Sequence, residues 1–187
     1  MIKIDTFIAI ETKSFYSHTI EQLQQEFTSI QSNNALQILA KNLTKSKGHF
    51  LHGAIIVEID GVHITSLLDW DDCDLLWPGF LSMVIDYLHN GFGETDISLN
   101  DIQWTLEKIM TKPNHLVIFS SKHGTGKITK GVCNEYDFLQ AVLLSAHQYL
   151  TLRQQDTRTH TLNGMSEKYN YLKCQSLKQF PNNSHKK

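Results

Sequence analysis

The sequence predicts an α+β fold in which three or four helices pack on an antiparallel β-sheet built from hairpins. Hydrophobic residues make up 41% of the 187 positions and the formal net charge is −2. Such a composition can bury a core and differs from that of a disordered chain. Two stretches, 53–90 and 115–152, each hold two β-rich runs followed by a run with helical spacing. These two ββα-like units define the predicted fold.

The N-terminal quarter is predicted to contain one strand and two helices. Residues 2–10 are apolar and rich in β-branched side chains, which is typical of a strand. Thr19 is followed three residues later by Gln22, a capping-box pattern that begins a helix. The spacing of apolar residues predicts two inward helical faces, formed by Ile20, Leu23, Phe27 and Ile30 and then by Leu36, Leu39, Ala40 and Leu43.

The first ββα-like unit contains a turn signal and a helix. Asp60-Gly61 separates two β-branched runs and predicts a two-residue hairpin turn, because both turn positions need a positive φ. A helix is predicted from near Pro78 to His89, since proline is tolerated in a first helical turn. Asn90-Gly91 is typical of a helix end.

The segment between the two units is polar and has no clear period. Residues 94–101 are predicted to form a loop, and residues 104–110 fit either a strand or a helix. Lys112-Pro113-Asn114 predicts a turn.

The second unit begins with residues 115–121 and 127–132, which predict a hairpin. Asn134 is positioned to cap the following helix, with Glu135 and Asp137 in its first turn.

A single domain is predicted for residues 1–152, with a polar C-terminal tail over 153–187 that is partly disordered or forms a short helix. From Asp156 to Lys187, six basic and two acidic residues give a net charge of +4, which leaves −6 for the rest. The three cysteines are far apart, and neither a signal-peptide pattern nor an apolar run of membrane-spanning length is present. We therefore expect a cytoplasmic protein without membrane contact.

The densest group of charges is the acidic cluster, defined here with its two flanking tryptophans as Asp69, Trp70, Asp71, Asp72, Asp74 and Trp77. Carboxylates beside large aromatic side chains are typical of protein interfaces, so these six residues are the predicted partner-binding surface. The same residue types favour two internal roles as well. The carboxylates can stabilise the N-terminus of the next helix, and the tryptophans can anchor the core. The spacing fits no EF-hand calcium loop.

A glycine-rich string with Gly124, Gly126 and Lys127 partly matches a phosphate-binding P-loop. Ser121 stands in place of the first glycine, and Ile128 stands in place of the magnesium-binding Ser or Thr. The string also leads into a predicted strand, whereas a P-loop leads into a helix. A hairpin turn is therefore the favoured interpretation, and phosphate binding is the alternative.

No pattern indicates a metal or another cofactor. The ten histidines are scattered, without the tight ligand pairs that zinc sites use. No G-x-S-x-G elbow marks a nucleophile, and the few basic residues of the tail do not indicate nucleic-acid binding. We predict no cofactor and no nucleic-acid partner, and we favour a non-enzymatic protein while leaving activity open.

Two stretches resemble bacterial immunity proteins of polymorphic and contact-dependent toxin systems. They are DWDDCDLLWPGF at 69–80 and the closing-helix sequence EYDFLQA at 135–141. The resemblance implies a small cytosolic protein that neutralises a cognate toxin, a basic protein domain, by covering its active site. It assigns no role to an individual residue. The alternatives are a small enzyme or nucleotide-binding protein that uses the turn at 124–127, and a homo-oligomeric accessory protein.

Overall fold

The computed structural model describes residues 1–11, 13, 15–45, 50–97, 101–110, 115–155 and 163–180. In these residues the helices are α1 (Ile20–Glu26), α2 (Ala35–Lys45), α3 (Cys73–Asn90), α4 (Glu135–Gln154) and α5 (Asn163–Gln179). The strands are β1 (Ile2–Ala9), β2 (Phe27–Ser29), β3 (His52–Ile59), β4 (Val62–His63), β5 (Asp71–Asp72), β6 (Phe92–Ile97), β7 (Ile102–Met110), β8 (Leu116–His123) and β9 (Ile128–Asn134). A short 3₁₀ helix, Leu67–Asp69, lies between β4 and β5.

The strands form two antiparallel sheets. Sheet 1 has the order β2-β1-β3-β4, and β5 also pairs with β3. Sheet 2 is a meander with the order β6-β7-β8-β9. The predicted α+β fold of antiparallel hairpins is thus confirmed, with the strands divided between two sheets.

Local signals in the sequence explain several element boundaries. Thr19 and Gln22 form the predicted capping box at the start of α1. Asp60 and Gly61 have φ values of 50° and 81°, as a primed hairpin turn requires. The Asn134 side chain accepts hydrogen bonds from two backbone N–H groups of the first turn of α4. These predictions are confirmed.

The predicted start of α3 is wrong. The helix begins at Cys73, because the Asp72 side chain accepts a hydrogen bond from the backbone N–H of Asp74 and so caps it. Pro78 lies inside the helix, where its ring nitrogen has no hydrogen to donate to the preceding turn. The end is as predicted, with Gly91 in the left-handed conformation at φ 75°.

Three other details differ from prediction. Helix α1 ends at Glu26, so Phe27 and Ile30, which were predicted on its inward face, lie beyond the helix, and Phe27 begins β2. Residues 92–97, which include part of the predicted loop, form β6, because their backbone pairs with β7 along its length. In α2 the buried face is shifted, so that Leu36 and Ala40 are exposed and Ile38 is buried. Residues 104–110 are a strand, and the turn predicted at residues 112–114 lies outside the described residues.

One large hydrophobic core joins both sheets to the helices. Its largest fully buried side chains include Trp77 of α3, Trp104 of β7 and Tyr149 of α4. Helix α5 adds Met165 and Leu172 to this core, and Arg153, where the predicted tail begins, is buried at the end of α4. A smaller cluster packs beneath α1. No helix in the described part of the chain has the length and apolarity needed to cross a membrane.

Candidate functional site

The acidic cluster is inside the protein. Asp69, Trp70, Asp71, Asp72 and Trp77 are each at most 5% exposed, and Asp74 is largely buried. These side chains therefore cannot form the exposed docking surface that the sequence predicts. The physical reason is that the carboxylates of Asp74, Asp72 and Asp71 form hydrogen bonds or ion pairs with groups of the same chain.

Asp74 holds the end of α4 against the start of α3. Arg153 donates from Nε to Asp74 Oδ1 at 3.1 Å and from Nη2 to Asp74 Oδ2 at 2.7 Å. The Tyr149 hydroxyl donates to the same carboxylate at 2.7 Å. A two-pronged arginine–carboxylate pair of this kind is strong and fixes orientation. Asp74 is therefore a structural residue that ties two helices together.

Asp72 and Asp71 organise the backbone before α3. Asp72 Oδ1 accepts from the backbone N–H groups of Leu51 and Asp74, at 3.2 and 3.0 Å. Burial raises the pKa of Asp72 to about 6, although these two hydrogen bonds act in the opposite direction. Asp71 Oδ1 accepts from the backbone N–H of Asp72 at 2.7 Å. Both carboxylates thus serve the turn that leads from β5 into the helix.

Both tryptophans of the acidic cluster are core anchors, which is one of the two internal roles open from the sequence. Trp77 donates from Nε1 to Thr6 Oγ1 at 3.2 Å and stacks on Tyr149 with ring centroids 6.2 Å apart. Trp70 packs edge-on against Phe15 in the smaller cluster, with centroids 5.4 Å apart.

The turn at 124–127 joins β8 to β9, as a hairpin turn and not as a P-loop. The backbone N–H of Gly126 donates to the carbonyl of His123 at 2.7 Å, and Gly126 has a φ of 84°. Lys127 is followed directly by strand β9. No helix N-terminus is present here to add its dipole to phosphate binding, so the favoured prediction is confirmed.

The fold brings this turn to Asp69 of the acidic cluster. His123 Nε2 lies 3.7 Å from Asp69 Oδ1, and Asp69 Oδ2 accepts from the backbone N–H of Ser66 at 3.2 Å. Burial raises the pKa of Asp69 to about 6, and the positive charge of His123 opposes that shift. A carboxylate beneath a partly exposed imidazole is an arrangement that can hold or transfer a proton.

His123 opens onto a polar groove of about 500 Å³. Its polar lining side chains include Ser66, Thr125, Lys127 and Thr129, together with Asp101 from the β6–β7 turn. The groove therefore carries hydroxyl, ammonium and carboxylate groups close to the Asp69–His123 pair. In the sequence, the glycine-rich turn and the acidic cluster predict two separate sites, and the structure brings them together at this groove.

A second, apolar groove of about 290 Å³ lies between α1 and strands β1 and β3. Its apolar lining residues are Phe7, Ile20, Phe27, Ile56 and Leu67. Phe7 and Ile56 project here because alternate residues of β1 and β3, such as Ile8 and Val57, point into the core. This groove was not predicted from the sequence. A signal for it was present, because Phe7 and Ile56 are apolar residues on the strand faces that point away from the core.

The rim of the apolar groove is charged. Lys3 Nζ lies 2.7 Å from Asp5 Oδ2, and Lys3 is paired with Glu58 in the β1–β3 ladder. Glu58 also lies 3.9 Å from His63 Nε2. The carboxylates of Asp5 and Glu58 therefore accompany one ammonium group, that of Lys3, so these three side chains carry an excess of negative charge.

The two grooves adjoin each other, because His63, Thr65 and Ser66 line both of them. Together they extend from α1 to the turn at 124–127. We call this surface the cleft. Its apolar half suits an apolar side chain, and its polar half suits hydrogen-bonding groups. Among the described residues, no group of three or more His, Cys, Asp or Glu side chains is arranged to hold a metal ion.

Comparison with known proteins gives no match to a protein-family model, to a curated protein or to a solved structure. The resemblance to immunity proteins thus stays a prediction, and the site is interpreted from its own chemistry.

Proposed function

We propose that this protein is a non-enzymatic binding protein whose cleft receives a protruding segment of a partner protein. The observation that carries the proposal is the apolar groove, which lies open beside α1 and is lined by Phe7, Phe27 and Ile56. Burying one large apolar side chain there contributes about 1.5–3 kcal/mol, which is the scale of an interface hot spot.

The charges at the rim indicate the chemistry of that segment. Asp5 and Glu58 outnumber Lys3, so an arginine or lysine beside the apolar anchor meets a complementary charge. Such a partner is consistent with the basic toxin domain that the resemblance to immunity proteins implies. Binding of this kind would neutralise the partner by covering its surface, without chemistry in this protein.

A matched pair of substitutions on α1 tests the proposal. Gln24 and Gln25 are both exposed, but only Gln24 is among the residues lining the groove. We expect Gln24→Arg to weaken binding of the protein encoded by the adjacent gene by about tenfold or more, because it fills the mouth of the groove and repels a basic partner. Isothermal titration calorimetry measures the two affinities.

Gln25→Arg is the control, and we expect it to bind like the unaltered protein. Absence of any complex with the adjacent gene product would contradict the proposal. Equal losses for the two variants would also contradict it, because they would show that general charge matters and the groove does not.

A second candidate function is supported by the Asp69–His123 pair, which lies beside Lys127 at the polar groove. This arrangement favours a small enzyme or nucleotide-binding protein.

A nucleotide present at about 100 times its Kd would raise the Tm by roughly 5–10 °C, since it binds only the folded state. We expect Lys127→Ala to abolish that rise in a thermal-shift assay with ATP, and exposed Lys173→Ala to retain it. No rise with the unaltered protein would exclude ATP as the ligand.

A further inference from the structure

Sheet 2 has one face in the core and one face open. Helices α3 and α4 pack on the first face, where Phe80 contacts Trp104 and Phe138 contacts Phe119, with ring centroids 5.6 and 5.7 Å apart. The alternate residues of each strand point the other way. We call the surface that they form the open face.

The open face carries several large apolar side chains that are exposed to solvent. Ile128 is 57% exposed, Val132 is 44% exposed and Phe92 is 43% exposed. Ile118 is half-buried on β8 and paired with Val132, and exposed Glu107 of β7 lies between Ile118 and Phe92 in the same row. Exposed apolar residues grouped on one face indicate a surface that another molecule covers.

The charges of the open face are separated by sign. Glu94 and Asp96 are exposed on β6, at one edge of the sheet, and Glu107 is exposed on the neighbouring strand β7. Lys122 of β8 and Lys130 of β9 are exposed toward the opposite edge. The pairing register places Glu94 and Lys130 in one row across the sheet, because Glu94 pairs with Thr105, Thr105 with Ser120 and Ser120 with Lys130.

We propose that the open face binds a second copy of this chain, and that the two-fold axis of the dimer runs parallel to the strands between β7 and β8. This axis places β6 of one copy over β9 of the other, so that each contact occurs twice in the dimer. Glu94 of each copy then faces Lys130 of its partner. Phe92, in the next row, faces Val132, which covers two of the exposed apolar residues.

Charge selects this axis over the alternative. A two-fold axis across the strands would place β6 over β6 and β9 over β9, so that acidic side chains face acidic ones and lysines face lysines. Juxtaposed like charges disfavour such an arrangement. Packing of two sheets face to face is a common mode of association, and their twist rotates the strand directions by about 30°.

The inference is independent of the function proposed for the cleft, because the residues of the open face that carry it do not line the apolar groove. Loss of the dimer and loss of partner binding are therefore separate results.

Charge reversal tests the dimer by sedimentation equilibrium over the micromolar range. We expect the unaltered protein to dimerise, and both Glu94→Lys/Asp96→Lys and Lys122→Glu/Lys130→Glu to weaken dimerisation by about tenfold or more. An equimolar mixture of the two variants is expected to form a heterodimer, because a mainly basic open face then meets an acidic one. Raising the salt concentration weakens that heterodimer.

Glu21→Lys, a reversal at an exposed residue of α1, is the control and should leave the dimer unchanged. The heterodimer also shows that both variants are folded. The proposal is overturned if the unaltered protein is monomeric throughout the range. It is equally overturned if the reversals leave the dimer intact, or if mixing the two variants restores no association.

Discussion

Replacing Arg153 with methionine is expected to lower the free energy of unfolding by about 3–5 kcal/mol, because it leaves the buried Asp74 carboxylate without its cation. The side chains of Arg153 and Asp74 are 3% and 13% exposed, so water can replace little of the lost interaction. Urea unfolding followed by circular dichroism measures the change. The expected result identifies the acidic cluster as internal structure.

Two further variants show whether the loss comes from the unpaired charge. Arg153→Met combined with Asp74→Asn should be more stable than Arg153→Met alone by about 1 kcal/mol or more, because the carboxylate that lost its cation is then also removed. Lys173→Met, at an exposed helical position, should change stability by less than about 0.5 kcal/mol. Equal stabilities of Arg153→Met and Lys173→Met would contradict the structural role of the pair.

The second large effect is a dependence of stability on pH that arises from Asp72. Its pKa is about 6 in the folded protein, above the ordinary aspartate value of 3.8. The folded state therefore holds the proton more tightly than the unfolded state, so stability falls as pH rises from about 4 to 6. A shift of this size corresponds to about 1–3 kcal/mol lost by neutral pH.

Asp72→Asn isolates this contribution. Asparagine is a good N-cap, and its side-chain oxygen can accept from Leu51 and Asp74 as the aspartate does. We expect the variant to match the unaltered protein near pH 4 and to be about 1–3 kcal/mol more stable near pH 7. Urea unfolding curves measured from pH 4 to pH 7 give the difference in free energy of unfolding between the two proteins. A difference that does not change with pH would contradict the role assigned to the Asp72 proton.

Local chemistry made much of the fold predictable. The capping residues Thr19 and Asn134 and the turn residues Asp60 and Gly61 act through their own neighbours, so their positions could be found from the sequence. Strand β6 could not be found in the same way. Glu94 and Asp96 are polar and exposed, so the segment lacks the apolar period of a strand, and only its pairing with β7 makes it one.

The candidate site depends more heavily on distant contacts. A dense run of aspartates predicts an exposed surface until a partner such as Arg153, 79 residues from Asp74, is known. Glu135 illustrates the same limit. The sequence placed it in the first turn of α4, and the structure buries it completely beside Tyr87 and Lys108. Long-range neutralisation of this kind leaves no pattern in a single sequence.

The apolar groove was missed because its walls come from separate parts of the chain. Phe7, Phe27 and Ile56 belong to three strands, and Ile20 comes from α1. Each residue alone is consistent with an ordinary core position. Phe27 is buried, and the packing of the short helix α1 over sheet 1 leaves Phe7, Ile20 and Ile56 partly open.

Hydrogen exchange of the complex with the adjacent gene product locates the partner on the surface and so tests the role proposed for the cleft. If the partner occupies the cleft, amide exchange should slow in α1 and in the turn at 124–127, while the exposed edge strand β6 keeps its rate. Slowing confined to β6 and β9, with α1 unchanged, would place the partner on the open face and contradict binding in the cleft.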